Sequence, residues 1–116
     1  TGHLVWEAIK ASDKLAENGI NAEIINIHTI KPLDEDIILQ SVSKTGCLVS
    51  AEEHNIYGGL GESISRLLVT KLPSPQEFVG TKDTFGESGP PSELMNKYGL
   101  NSSSIYNSAV DVLKRK

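Results

Sequence analysis

The sequence contains one cysteine and no long apolar stretch, and these two scarcities exclude whole classes of protein. The single cysteine, Cys47, cannot form an internal disulfide in this 116-residue chain, which fits a reducing cytoplasm. Its position inside a short apolar run predicts a small buried side chain rather than a nucleophile, which would need exposure and a nearby base. No window approaches the roughly 18 apolar residues of a membrane-spanning helix. The sequence therefore predicts a cytoplasmic protein with no membrane span.

Positive charge is also scarce. The chain carries 11 Lys and Arg residues against 15 Asp and Glu residues, which gives a formal net charge of -4. Nucleic acids and anionic membranes are bound through clustered Lys and Arg, and the only basic run is Lys114–Lys116 at the end of the last predicted helix. We therefore expect neither a nucleic-acid nor a membrane partner. The length and the apolar content of 38% predict one globular domain over residues 1–116.

Helix-period and strand-like segments alternate along the chain. The predicted strands are the apolar runs Ala22–Ile27, Cys47–Ala51 and Glu77–Thr81. Helices are predicted before Gly19, between Asp34 and Gly46, after Gly61, from Pro91 to Gly99, and after Asn101. This alternation predicts an α/β domain, a three-layer sandwich in which helices flank both faces of a mostly parallel sheet.

The first predicted helix follows directly after Thr1-Gly2. In an open α/β sheet, a small polar residue and a glycine before a helix are typical of the turn that follows a strand. We therefore expect the first strand of the domain to lie upstream of Thr1.

An acid–imidazole cluster follows the second predicted strand and is the first candidate site. Glu52, Glu53 and His54 stand where α/β folds place functional groups, and a carboxylate can orient an imidazole for proton transfer. His54 is thus the one candidate catalytic residue. The alternative, which we favour, is a loop whose side chains are hydrated or are satisfied by backbone amides and a partner domain. Adjacent acids in an extended segment point to opposite sides, so only one of the two glutamates would face a pocket.

The glycine turn 58–61 is the second candidate site. Gly58, Gly59 and Gly61 precede a helix, and helix N-terminal amides can cradle a phosphate. The spacing matches neither a dinucleotide fingerprint nor a P-loop, and Glu62 in the first turn would repel an anion. A tight structural turn is the favoured interpretation. Anion binding or an interface role stays open for the glycines and for the neighbouring acid–imidazole cluster.

Two further groups are predicted at the same sheet edge. A loop carrying Asp83, Phe85, Glu87 and Ser88 follows the third strand and either closes a binding mouth or packs on a neighbouring domain. His3 and His28 lie at strand–helix turns, but no histidine or cysteine spacing typical of a metal site accompanies them. We predict no metal ligands in this chain.

Three segments together resemble the carboxy-terminal domain of the transketolase family. They are INIHTIKPLD (25–34), VSAEEHNIYGGLGESI (49–64) and KDTFGESGPPSELMNKYGL (82–100), in the family's order and with its gap lengths. The resemblance covers essentially the whole chain. The last segment is most similar to transketolases with separate small subunits. Deoxyxylulose-5-phosphate synthases tend to have His in place of Ser88 and are the second choice, and dehydrogenase β subunits match less well.

The resemblance implies a function for the parent enzyme rather than for this chain alone. The family transfers two-carbon ketol units between sugar phosphates, as in the pentose phosphate pathway, using thiamine diphosphate and Mg²⁺. The cofactor lies between a diphosphate-binding domain and a pyrimidine-binding domain, whose Gly-Asp-Gly signature and catalytic glutamate are absent from this sequence. The implied role of this domain is packing in a homo-oligomer, a dimer, with no bound cofactor. A free-standing module that binds a small anion at the glycine turn is the alternative from another class.

Overall fold

The computed structural model describes residues 2–27, 33–55, 59–81 and 100–116. Within them the chain forms four helices and two strands. The helices are α1 (Gly2–Glu17), α2 (Glu35–Thr45), α3 (Leu60–Lys71) and α4 (Ser102–Lys114). The strands are β1 (Leu48–Asn55) and β2 (Gln76–Thr81). The predicted loop 82–91 and the predicted helix from Pro91 to Gly99 lie outside the described residues.

The ends of α2 follow from single residues, as predicted. Asp34 is the N-cap, and its carboxylate accepts a hydrogen bond from the N–H of Ile37 at 3.4 Å. Gly46 ends the helix at φ 83°, where its N–H donates to the carbonyl of Val42 at 2.7 Å. A left-handed backbone at this position favours glycine because it has no Cβ.

The ends of α1 and α4 confirm two further predictions. Gly19, just beyond α1, adopts φ 78°, and its N–H donates to the carbonyl of Ala16 at 3.0 Å. Asn101 caps α4, with its Oδ1 atom accepting from the N–H of Ser104 at 2.9 Å. Short polar residues and glycine thus define these boundaries from local sequence alone.

The two strands are parallel neighbours. Leu48 pairs with Gln76 and Ala51 with Val79, and the ladder continues after an irregularity to Asn55 opposite Thr81. The parallel pairing confirms the predicted kind of sheet. It also corrects one boundary: β1 extends to Asn55, so Glu52, Glu53 and His54 lie in the strand and not in a loop. The pairs of Ala51 with Val79 and of Asn55 with Thr81 flank this polar segment, and the register shifts between them.

The predicted strand Ala22–Ile27 is not a strand in this structure. The segment has no ladder with β1 or β2, and Ile24 is 44% exposed. A β-branched run becomes a strand only when a neighbour supplies the backbone hydrogen bonds, and no described strand lies against it. The segment is fastened to α2 instead, through Glu23, which accepts from the hydroxyl of Ser41 at 2.7 Å and contacts Lys44 at 3.2 Å.

Two apolar clusters occupy the two faces of the sheet. The cluster under α1 and α4 contains Leu4, Ala11, Val79, Leu100 and Ile105. The cluster under α2 and α3 contains Ile38, Val42, Ile64, Leu67 and Leu68. Each fully buried aliphatic side chain contributes about 1.5–3 kcal/mol to folding. The helices, sheet and helices form the three layers of the predicted α/β sandwich.

Candidate functional site

Glu52 is the residue of the acid–imidazole cluster that the structure places in the protein interior. It is 5% exposed and lies on the α3 side of β1. Its Oε1 atom accepts from the N–H of Leu60 and its Oε2 atom from the N–H of Gly61, both at 2.8 Å. Both oxygens of this carboxylate are therefore bonded to the first turn of α3.

This contact replaces a conventional helix cap. The N-cap of α3 is Gly59, which offers no side-chain hydrogen bond to the free amides of the first turn. Glu52 supplies the missing acceptor from the neighbouring strand and places negative charge at the positive end of the helix. Strand β1 and helix α3 are thus joined by a short charged contact across eight to nine residues of sequence.

Gly61 allows this close approach. A Cβ atom on Gly61 would lie 2.5 Å from the Cδ2 atom of Phe78 and 2.7 Å from the Oγ atom of Ser50. No ordinary side chain fits there, so the glycine is required by packing of α3 on the sheet. The geometry supports the interpretation of a tight structural turn. Binding of an external anion at the glycine turn stays a prediction, and Gly58 lies outside the described residues.

Buried hydrogen bonds connect the first turn of α3 to the sheet. The Nε2 atom of Gln76 donates to the carbonyl of Gly61 at 3.0 Å and to the Oγ atom of Ser50 at 3.2 Å. Ser50 is 3% exposed, and the buried Oε1 atom of Gln76 has no partner among the described residues. The amide nitrogen of Gln76 faces the Gly61 carbonyl, because a carbonyl oxygen needs a donor. These groups tie β2 to the start of α3.

A second buried carboxylate, Glu7, repeats the arrangement on the opposite side of the sheet. It is 7% exposed, and its Oε1 atom accepts from the N–H of Ser102, the first residue of α4, at 2.9 Å. Its Oε2 atom contacts Lys10 at 3.0 Å. Glu7 was not among the residues predicted from the sequence. The available signal was its position on the inner face of α1, between Leu4 and Ala11 at helical spacing.

The remaining candidates are only partly located. The backbones of Glu53 and His54 belong to β1, but their side chains lie outside the described residues, as do His28 and the whole loop carrying Asp83 to Ser88. The catalytic role of His54 therefore stays a prediction. In the described part of the chain, no group of three or more His, Cys, Asp or Glu side chains is arranged to hold a metal ion.

Cys47 is more accessible than predicted. Its side chain is half-buried, and it lines an open cavity between β1, α2 and the segment before α2. The apolar run around it predicted a buried side chain. None of the helices in the described ranges is long and apolar enough to span a bilayer.

Comparisons with known proteins agree with this architecture. The family model described as "Transketolase, C-terminal domain" matches residues 1–105. A subunit of a 6-deoxy-6-sulfo-D-fructose transketolase from Clostridium sp. is 43% identical over 116 residues, which are 100% of this chain and 36% of that protein. A 1-deoxy-D-xylulose-5-phosphate synthase from Desulforudis audaxviator is 42% identical over 101 residues, 85% of this chain and 16% of that protein.

A solved structure shows the same fold. It is described as a split-gene transketolase, an inactive beta4 tetramer, and it superposes with a TM-score of 0.91 at 34% sequence identity. The match covers 97% of this chain and 37% of that one, so the chain spans little more than a third of this relative. The domain match, the sequence identities and the shared fold lead to one assignment: the chain belongs to the family of transketolase C-terminal domains.

Proposed function

We propose that this chain is the C-terminal domain of a thiamine-diphosphate-dependent transketolase, which transfers a two-carbon ketol unit between phosphorylated sugars. Within that enzyme, the domain serves assembly and not the chemical step. The hydrogen bonding of Glu52 supports the assembly role. This residue is the buried acid near the carboxyl end of β1, and both of its oxygens are already bonded to α3.

Identity over the full length of the chain supports a transketolase over a deoxyxylulose-5-phosphate synthase, since a synthase that matches 99% of this chain is 33% identical and the sulfofructose transketolase subunit is 43% identical. The similarity to the sulfofructose transketolase subunit includes the whole of this chain, whereas that to the Desulforudis synthase includes 85%. The synthase remains the alternative parent.

The described residues do not fit a thiamine diphosphate site. A diphosphate with its metal ion needs free backbone amides or basic groups and a set of oxygen ligands. Here the amides of Leu60 and Gly61 are taken by Glu52, and the other buried carboxylate, Glu7, is bonded to Ser102 and Lys10. The proposal therefore assigns the cofactor to the pyrimidine-binding and diphosphate-binding domains of the same enzyme. No catalytic step is assigned to a residue of this chain.

Activity of the complete enzyme tests the proposed reaction. We expect turnover of xylulose 5-phosphate with an aldose phosphate acceptor, and none of pyruvate with glyceraldehyde 3-phosphate. The reverse pattern would identify a deoxyxylulose-5-phosphate synthase. The 116-residue chain alone should catalyse neither reaction.

Calorimetry on the 116-residue chain tests the assembly role separately. Titration with thiamine diphosphate and Mg²⁺ should show no binding, and micromolar binding would contradict the proposal. Titration with inorganic phosphate tests the alternative function, a free-standing module that binds a small anion at the glycine turn. Phosphate binding that Gly59→Ala weakens, in a chain that still unfolds cooperatively, would favour that alternative.

A further inference from the structure

The side of α1 that faces away from the sheet carries an exposed tryptophan and an exposed isoleucine. Trp6 is 66% exposed and Ile9 is 37% exposed, whereas Leu4 and Ala11 on the opposite side of the helix are buried. Residues three apart on a helix are neighbours, so the two exposed side chains form one apolar patch. Trp6 is the only tryptophan of the chain, and tryptophan is among the residues that contribute most to binding at protein interfaces.

Opposite charges lie on the two sides of this patch. The amino-terminal end of α1 is positive, because its first amides have no partners within the helix and its first turn contains no acidic side chain. Asp13, which is exposed, follows Ile9 by four positions and therefore lies on the same side of the helix. A helix with a positive end, an apolar patch and then a carboxylate is complementary to an antiparallel copy of itself.

We propose that the outward face of α1, which consists of Gly2, Trp6, Ile9 and Asp13, is a docking surface for a second copy of this chain. The second copy packs its own α1 antiparallel to the first across a two-fold axis. This inference rests on the assembly role proposed above and names one surface through which that assembly occurs.

One register satisfies the apolar groups and the charged groups together. At about 100° and about 1.5 Å per residue, the four residues of the outward face lie in an arc of about 60° along about 17 Å of the helix. When the two-fold axis passes midway between Trp6 and Ile9, each Trp6 lies opposite Ile9 of the other copy. The same register brings each Asp13 to the first turn of the other α1, beside Gly2. Both contacts occur twice, as an isologous interface requires.

The charge beside this face is compatible with the pairing, and the contact area predicts its strength. Lys10 flanks the outward face, and its ammonium group is neutralised by the carboxylate of Glu7 at 3.0 Å. The 16 residues of α1 form a helix about 24 Å long and about 10 Å wide. This strip is smaller than the roughly 800 Å² per partner of a standard interface. We therefore expect a weak dimer of the 116-residue chain, which other contacts strengthen in the complete enzyme.

The fluorescence of Trp6 tests the proposal directly, since the chain has no other tryptophan. The concentration of the 116-residue chain is raised from about 10 μM to about 1 mM, the range of weak complexes, with a reductant that keeps Cys47 from cross-linking two copies. We expect the emission to shift to shorter wavelength and quenching by acrylamide to weaken, because the indole ring leaves water. Sedimentation equilibrium should show a dimer and no larger species, since a two-fold contact closes on itself.

Two substitutions on the outward face have matched controls on other helices. Trp6→Ala should raise the dissociation constant of the dimer roughly tenfold or more. Asp13→Lys should raise it roughly threefold or more, because the lysine would face the positive end of the other helix. Val69→Ala on α3, where the valine is 71% exposed, and Asp111→Lys on the exposed side of α4 should leave it unchanged. Urea denaturation of each variant establishes that it is folded.

Several results would overturn the proposal. A chain that remains monomeric at about 1 mM would do so, as would a dimer that Trp6→Ala does not weaken. Dimerisation of Asp13→Lys as tight as that of the unmodified chain would exclude the antiparallel register. Growth beyond a dimer would indicate a head-to-tail contact instead of a two-fold one. Ketol transfer by the complete enzyme and the titration with thiamine diphosphate test the proposed function separately, so failure of this interface is distinguishable from failure of that function.

Discussion

Glu52 and Gly61 are nine residues apart in sequence, and the Oε2 atom of the first lies 2.8 Å from the backbone nitrogen of the second. The contact holds the positive end of α3 against the carboxyl half of β1. It also accounts for the burial of Glu52 without assigning this residue a chemical role. The acid is buried because a helix lacking a side-chain cap requires an acceptor, and the glycine is present because the helix approaches the sheet too closely for a side chain.

Replacing Glu52 by glutamine should lower the free energy of unfolding by about 1–3 kcal/mol. The amide keeps one acceptor but turns an NH₂ group toward the N–H of Leu60 or Gly61, which leaves a buried donor without a partner. Urea denaturation measures the change. The matched control is Glu35→Gln, because Glu35 is also in a helix first turn but makes only an exposed ion pair with Lys71 at 3.4 Å. Glu35→Gln should lower the free energy of unfolding by less than about 1 kcal/mol. Equal losses of stability for the two substitutions would contradict the capping role of Glu52.

Gly61→Ala should lower the free energy of unfolding by about 1–3 kcal/mol through overpacking. The added methyl group would lie within 3 Å of the Phe78 ring, which belongs to the paired strand β2. A double-mutant cycle with Phe78→Ala supplies the control, because removing the ring makes room for the methyl group. We expect the cost of Gly61→Ala to fall in the Phe78→Ala background. An unchanged cost would place the strain elsewhere.

The features that were predicted correctly are the ones set by local sequence. Asp34, Gly46 and Asn101 define helix ends through their own backbone angles and side chains, and those ends are where the sequence placed them. The apolar runs before Glu52 and after Pro75 are strands. Such boundaries depend on a few neighbouring residues and need no knowledge of the remaining fold.

The features that were missed depend on distant partners. Segment 22–27 has the composition of a strand, but a strand also needs a neighbour, and none of the described strands lies beside it. Glu52 was predicted in a loop, either hydrated or bonded to backbone amides, and the amides that it bonds lie in the next helix. Glu7 accepts a hydrogen bond from Ser102, 95 positions away, and no local sequence pattern predicts that contact. Side-chain roles at the candidate site were thus less predictable than the secondary structure around it.

Glu7→Gln should destabilise the protein by about 1–3 kcal/mol, measured by urea denaturation. The buried side chain would lose its charge-assisted bond to the N–H of Ser102 and its contact with Lys10. Glu17→Gln, an exposed acid at the end of the same helix, is the control and should change stability by about 0.5 kcal/mol or less. Lys10→Ala should also have a small effect, because the lysine side chain is 64% exposed. A large effect of Lys10→Ala would show that the ion pair, and not the helix cap, accounts for the burial of Glu7.

Glu23 links segment 22–27 to α2, and its titration reports that link. The hydroxyl of Ser41, which donates to the carboxylate at 2.7 Å, and then Lys44 hold the pKa of Glu23 below its ordinary value of 4.5. The folded state thus binds this proton less readily than the unfolded state. The stabilising contribution is therefore present above pH 4.5 and is lost as the pH falls through the lowered folded-state pKa.

Ser41→Ala should therefore raise the pKa of Glu23 toward 4.5, as followed by NMR titration of its carboxyl carbon. Lys44→Ala should also raise the pKa of Glu23, because the hydrogen bond and the charge of Lys44 both lower it. Ser43→Ala is the matched control on the same helix, since the Ser43 hydroxyl donates to the carbonyl of Gln40 and not to Glu23. A Ser43→Ala shift as large as that of Ser41→Ala would mean that the pKa follows the stability of α2 in general. In that case the direct contact would not anchor the segment.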